Sequence, residues 1–555
     1  ITSGAFGNNS DVTMADTAGA SLDITGFNTQ IGSLTGGGTT GGNVTLGAAT
    51  LTVGGNNTSP AAYAGIISGT GGLTKIGTGT LTLGGANIYT GATTVNNGTL
   101  KAGVASVANT SGAFGNNSAV TMANTAGVVL DITGFNTQIG SLTGGGATGG
   151  NVTLGAATLT VGGDNTSPAA YAGILSGTGG SLTKIGTGTL TLSNKNPYTG
   201  GTIVNGGTLS MTSNANNGAS TVGTGDLVIN TGAIAIAQIG DNQLGHTAAA
   251  NIPNVVINGG TFTASSPFTG GMHIKGITMT GGTVNGTTGL NPSTVDGSFL
   301  TTLASANTAT VSTPINNVAT NYVITVADGA AVNDLQITGV ISGAGGITKS
   351  GLGTLTLSGT GSSTNSATGL LQIDGGTVIA GAGFGGDGGW TGNVTINNTA
   401  TLQLAQANIF NNSSDFTINA GGTLNLGGFT DAIGNLAGGG AITNNNGGLV
   451  LDDISGTRTF TGTINGTNAL TLRGNVAATG TQEFKPLTAT TSTLSSLVTQ
   501  RGTLVLGGAG TITISGNLNV GEVGATGGNL TIQDTVVVGV AGEFLIGNAS
   551  TIPGF

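Results

Sequence analysis

Apolar side chains recur along this chain with a period of two. Over short stretches Leu, Ile or Val alternates with Thr, Ser or Asn, and then Gly or Asn-Gly intervenes. Examples are VTL at 44–46, LTV at 51–53, LTL at 81–83 and GTL at 98–100. In an extended chain successive side chains point to opposite faces, so Leu81 and Leu83 share one face while Thr80 and Thr82 share the other. Thr suits a strand, and Asn-Gly suits a tight turn that needs positive φ. No stretch of ten or more residues carries a 3.6-residue period with caps. The pattern predicts an all-β chain.

The strands return at short, regular distances. Leu81 to Leu100 is 19 residues, and Leu190 to Leu209 is again 19. Above this rhythm lies a longer repeat: residues 1–72 recur at 109–180 with 64 of 72 positions identical, an offset of 108. Ser181 is then inserted, and LTKIGTGTLTL at 73–83 recurs at 182–192; a degenerate third copy, ITKSGLGTLTL, occupies 347–357. Short strands returning every ~20 residues are the signature of a solenoid. A parallel coil meets it, because each strand bonds to its counterpart one turn away and inward Leu, Ile and Val stack into rows. With roughly 20–25 turns spaced ~4.8 Å apart, the body would extend about 100–120 Å. A β-propeller is the structural alternative, but it expects blades of about 40–50 residues. A hairpin-rich surface-layer fold also stays open, since pattern alone separates parallel from antiparallel pairing poorly. The organisation expected is a long repeat over 1–108, a second over 109–210, and a less regular continuation over 211–555. Excursions are expected near 291–313 and 381–390.

Composition narrows the class. The chain has 555 residues, 110 of them Gly, 9 Pro and no Cys. Without a G-X-Y period collagen is excluded. With 37% hydrophobic and only 5% charged residues the chain lacks the signature of disorder. A net charge of −10 and three scattered arginines, Arg458, Arg473 and Arg501, argue against nucleic acid as the ligand. No apolar run approaches the roughly 20 residues of a membrane helix. A chain that begins at Ile1 is expected to be a processed product or a fragment, so the lack of a signal peptide says little about export.

The stretch 71–100, GGLTKIGTGTLTLGGANIYTGATTVNNGTL, and its second copy at 179–209 closely resemble the passenger-associated repeat of bacterial autotransporters. The matching positions are Leu73, Lys75, Gly79, Leu81, Leu83, Tyr89, Gly98 and Leu100, then Leu182, Lys184, Gly188, Leu190, Leu192, Tyr198, Gly207 and Leu209. LTK, GTLTL, YTG and GTL in fixed order over thirty residues make the motif specific, although its two good copies cover only about sixty residues. The resemblance implies an elongated right-handed single-stranded parallel β-helix (β-solenoid). It also implies secretion through an outer-membrane barrel and display on the surface of a Gram-negative bacterium. Residues 541–555 lack the alternating aromatic pattern of barrel strands, so no translocator barrel is expected within this chain, and attachment is expected through another segment.

Chemistry is sparse. His246 and His273 lie in no metal-ligand spacing and are expected to be incidental. Asp452, Asp453 and Glu483 supply acids, but a glycosidase needs two carboxylates facing each other across a cleft. Neither a phosphate loop nor a calcium repeat is present. The recurring Lys75, Lys184 and Lys349 raise a ligand-binding reading, set against one in which lysine covers an apolar edge with its tip in solvent. Tyr89 and Tyr198 are expected to stack at a corner with exposed hydroxyls. Trp390 is the best single binding aromatic if exposed, and otherwise a buried loop anchor. The function expected is non-enzymatic: the passenger or stalk of an adhesin, contacting a host or bacterial surface protein or glycan, with no cofactor and no metal. The alternatives are a self-assembling component of a surface layer, sheath or filament, its partner a copy of itself, and a β-helix carbohydrate-active enzyme.

Overall fold

In the computed structural model the described residues are 5–551, apart from 8, 214–219, 239–242, 246–251, 266–270, 293–297, 317–320, 359–365, 382–389, 445–446, 453–454, 467, 474–479, 488–490, 522–527 and 547–549. Among them there is no helix; strands of two to nine residues carry the fold. The chain divides into two compact units, Ile1–Ile277 with Val284–Ser293, and Thr278–Thr283 with Thr294–Phe555.

In the first unit the chain coils past three walls in turn. One wall stacks Thr29–Ile31, Leu51–Val53, Leu73–Lys75, Thr93–Val95, Val120–Met122 and Leu142–Gly144, every pair parallel. The next carries Thr80–Leu83, Thr99–Ala102, Val129–Asp131, Asn151–Thr153 and Leu175–Ser176. On the third, Ser21–Asp23, Asn43–Thr45 and Ile67–Ser68 stack low down. Higher up it holds Thr137–Ile139, Thr158–Val161, Ser181–Lys184 and Thr202–Val204. Leu81 pairs with Leu100, and Leu190 with Leu209, so the 19-residue spacing is one turn of the coil. The second unit repeats the arrangement: Tyr322–Val326, Ile347–Ser350, Leu371–Ile373 and Val394–Ile396 form one parallel stack, and Leu335–Ile337, Thr354–Leu357 and Gly376–Ala380 another. Phe544–Ile546 pairs antiparallel with Ser550–Thr551.

The alternation read from the sequence sets which side chains enter the coil. Leu73, Leu81, Leu83 and Leu100 are buried, as are Leu182, Leu190, Leu192 and Leu209, while Thr80 and Thr82 are half-buried on the outer surface. Identical neighbours one turn apart make continuous aliphatic rows, so each turn removes apolar area from water only with its neighbours in place. The corners must let turns approach to strand spacing. Gly77 has φ +68°, and a Cβ there would sit 1.9 Å from the carbonyl oxygen of Gly54 one turn below. Only glycine meets both demands.

Three strands, Leu290–Pro292, Ser298–Thr302 and Ala309–Val311, lie in or beside the stretch 291–313, where the sequence suggested a projecting loop. Alternation there is masked by Ser, Thr and Ala, yet Phe299, Leu300, Ala309 and Val311 are buried. Most of the excursion expected at 381–390 falls at 382–389, outside the described residues.

Truncating Leu83 to Ala is expected to cost about 2–5 kcal/mol, as for a fully packed aliphatic side chain. Thr82→Ala should cost well under 1 kcal/mol, in the range of surface substitutions. Denaturant unfolding of the two variants checks the assignment of faces; equal losses would overturn it.

Candidate functional site

The recurring lysines lie inside the wall. Leu73–Lys75 shows the burial alternation of its neighbours, and Lys75 occupies the second inward position. Its side chain is only 1% exposed, and Nζ donates to the carbonyl oxygens of Ile76 at 2.7 Å, Gly77 at 2.8 Å and, one turn up, Asn97 at 3.2 Å. Lys184 repeats this with Ile185, Gly186 and Gly206. Lys349 donates to Gly351 at 2.6 Å and to Gly375 at 2.7 Å. The sequence reading, with the charged tip in solvent, is corrected: the ammonium satisfies corner carbonyls that turn away from the strand ladders. Burial pulls all three lysines down to about 8. Each ammonium joins the corner of its own turn to the corner of the next.

The tyrosines are also corrected. Tyr89 and Tyr198 are fully buried, and their hydroxyls share hydrogen bonds with Thr93 and Thr202 instead of reaching solvent. From Thr93 a buried relay continues to Ser118 Oγ at 2.8 Å, which donates to Gly91 O at 2.6 Å. Sequence reasoning missed Tyr63 and Tyr171, whose hydroxyls donate to Gly42 O and Gly150 O. It also missed Asn87 and Asn196. Asn87 Oδ1 accepts from Ile67 N at 2.7 Å, and its Nδ2 donates to Ala113 O at 2.7 Å, so one buried amide joins three turns. Asn196 does the same between Leu175 N and Thr221 O. The signal was present: each Asn stands two residues before the repeated Tyr-Thr-Gly.

Trp390 is buried, its Nε1 donating to Gly369 O at 2.9 Å. It is a corner anchor and is withdrawn as a binding aromatic. The acids do not converge as a catalytic pair. Asp452 is held by Arg473 at 2.6 Å and Glu483 by Lys485 at 3.0 Å, while Asp453 lies outside the described residues. Asp431, raised by burial to about 6, accepts from the amides of Ile409 and Phe410. His246 also lies outside the described residues; His273 stands in the wall strand Met272–Ile274. Among the described residues no group of three or more His, Cys, Asp or Glu could hold a metal ion. An open groove of about 250 Å³ in the second unit is lined by glycine corners with Thr423, Thr461, Thr463 and Leu487 and, among the described residues, by no acid or base. What these surfaces offer is hydroxyl, amide and backbone contact.

The fold is thus a parallel β-solenoid whose corners carry a repeated, buried lysine. The passenger-associated-transport-repeat matches at 73–102, 182–211 and 347–380, the three segments that carry those lysines. The chain is homologous over part of its length to the Adhesin BmaC autotransporter of Brucella suis biovar 1 (strain 1330), with 37% identity over 213 residues. That alignment takes in 37% of this chain and 6% of the much longer adhesin. No solved structure matches the chain. No helix among the described residues is long and apolar enough to cross a membrane.

Replacing Lys75 with Met keeps the apolar stem and leaves three corner carbonyls without their donor. A loss of about 1–3 kcal/mol is expected, seen by hydrogen exchange as faster opening of residues 73–98 with remote turns unchanged. Tyrosine burial gives a pH prediction. Desolvation holds the phenols of Tyr63, Tyr89, Tyr171 and Tyr198 above the ordinary tyrosine value. Their contribution is complete below the unfolded value of about 10 and is lost as pH rises beyond it, because only the unfolded chain then ionises. Phenolate absorbance from these four should therefore appear together with loss of the β circular-dichroism signal, not ahead of it.

Proposed function

We propose that this chain is the non-catalytic passenger stalk of a surface adhesin, displayed outside a bacterial cell and held at the outer membrane by a segment elsewhere in the whole protein. The observation that carries the reading is the coincidence of three passenger-associated repeats, seated in a parallel coil, with homology to a protein named as an adhesin. The physical character of the wall supports it. Inward positions are mostly aliphatic and sealed, while outward positions are mostly Thr, Ser, Asn and Gly, which make many weak contacts along the coil. Asp452 and Glu483 are tied up in ion pairs and Asp431 by main-chain amides, which favours binding over turnover.

Purified chain is expected to attach saturably, as a monomer, to host or microbial surfaces. Regular lateral or end-to-end assembly with no attachment would identify a fibre or layer component instead. Release of sugar or peptide products from a substrate panel would overturn the non-catalytic reading.

A further inference from the structure

The two long repeats do not occupy equivalent positions around the coil. From Leu73–Lys75, the wall climbs through Thr93–Val95, Val120–Met122 and Leu142–Gly144, then through Tyr171 to Leu192. Leu192 belongs to Thr189–Leu192, the copy of Thr80–Leu83 and not of Leu73–Lys75. The copy of Leu73–Lys75 is Ser181–Lys184, which stacks on Thr158–Val161 and Thr137–Ile139 in another wall. Five turns above the first motif strand lies the second motif strand, one wall further on. The repeat is therefore four and two-thirds turns long, and its second copy is rotated by a third of a turn.

The sharpest shared surface feature is the loop NTSPAA at 57–62 and 165–170. In the first copy it leads from Leu51–Val53 to Tyr63, on the wall of Thr80–Leu83. In the second it leads from Thr158–Val161 to Tyr171, on the wall of Leu142–Gly144. Both loops have the same form. Asn57 and Asn165 take φ of +63° and +59°, and their Oδ1 atoms accept from Thr78 N at 2.9 Å and Thr187 N at 3.0 Å. Ser59 and Ser167 each accept from the next turn, Thr80 N and Thr189 N, at 2.9 Å. Asn, Thr, Ser and both Ala side chains are exposed in each loop, without a charge or a large apolar group. A protein interface is usually anchored by buried aromatic or Arg side chains, and these loops offer none; braced amides and hydroxyls suit a neutral, hydroxyl-rich ligand.

We propose that the loops 57–62 and 165–170 are two equivalent contact sites for neutral glycan, and that the four-and-two-thirds-turn repeat makes one chain bivalent toward glycans on different sides of the coil. At strand spacing the sites are about 22 Å apart along the axis. The proposal rests on the adhesin reading, and the experiment has separate arms for each. The geometric arm uses an antigen-binding fragment raised against the shared NTSPAAY sequence. Native mass spectrometry should show two fragments per full chain, and electron microscopy should show them leaving in directions a third of a turn apart. One fragment per chain, or two on one side, would overturn the bivalent geometry. The functional arm measures retention on a panel of immobilised neutral glycans for the full chain, Ala61→Asp, Ala169→Asp and the double variant. Sites on different sides of the coil do not engage one immobilised layer together, so each single variant should lose about twofold in apparent affinity, the statistical factor for one of two independent sites, and the double variant should fall to background. Unchanged circular dichroism keeps a folding defect separate. Glycan binding undiminished in the double variant, or absent from the parent chain, would overturn the proposal. Attachment to cells stripped of glycan, with no glycan retention, would overturn it while leaving the adhesin reading in place; attachment to nothing would overturn both.

Discussion

Everything in this molecule depends on one distance, the separation of successive turns imposed by the parallel main-chain ladder, about 4.8 Å. At that distance the aliphatic rows pack turn against turn and the strands satisfy one another's amides and carbonyls. The same distance leaves no room at the corners. Beside Gly77, Gly186 and Gly98 the neighbouring turn's carbonyl lies where a Cβ would stand. The abundance of glycine follows from this closeness and not from flexibility.

Corners carry the second consequence. Where the chain bends from one wall to the next, carbonyls leave the ladder and lose their partners, and a buried acceptor without a donor is costly. Lysine at the last inward position of Leu73–Lys75 answers with one ammonium and up to three acceptors. Asn87 answers where the main chain cannot pair with both neighbours, and Tyr63 and Tyr89 add hydroxyls on long rigid arms. The passenger repeat is thus a recipe for a corner: aliphatic strand, buried donor, glycine, aliphatic strand.

The coil was legible because alternation and a 19-residue return are direct projections of strand and turn, and Leu81 and Leu100 proved to be vertical neighbours. What the sequence concealed was polar burial. Alternation alone places Lys75 inward beside Leu73, but the ordinary preference of an ammonium for water pointed the other way, and no local feature reveals that a carbonyl from a turn 22 residues away completes its shell. Tyr89 misled for the same reason: its Thr93 partner is four residues on, yet the relay closes through Ser118. Trp390 left burial and exposure equally open until its Gly369 partner, a turn below, was in view. The stretch 291–313 hid its strands because Ala and Thr serve inside this coil as well as outside.

The fractional turn in the long repeat has an arithmetical consequence for how such a chain grows. Three tandem copies make fourteen whole turns, about 67 Å at ladder spacing, and only then does the sequence return to its starting wall. Gene duplication in a coil of this kind acts as a screw: each new copy lengthens the rod and also turns its pattern to a fresh bearing. A single stretch of sequence, copied without redesign, can therefore clothe every side of the shaft.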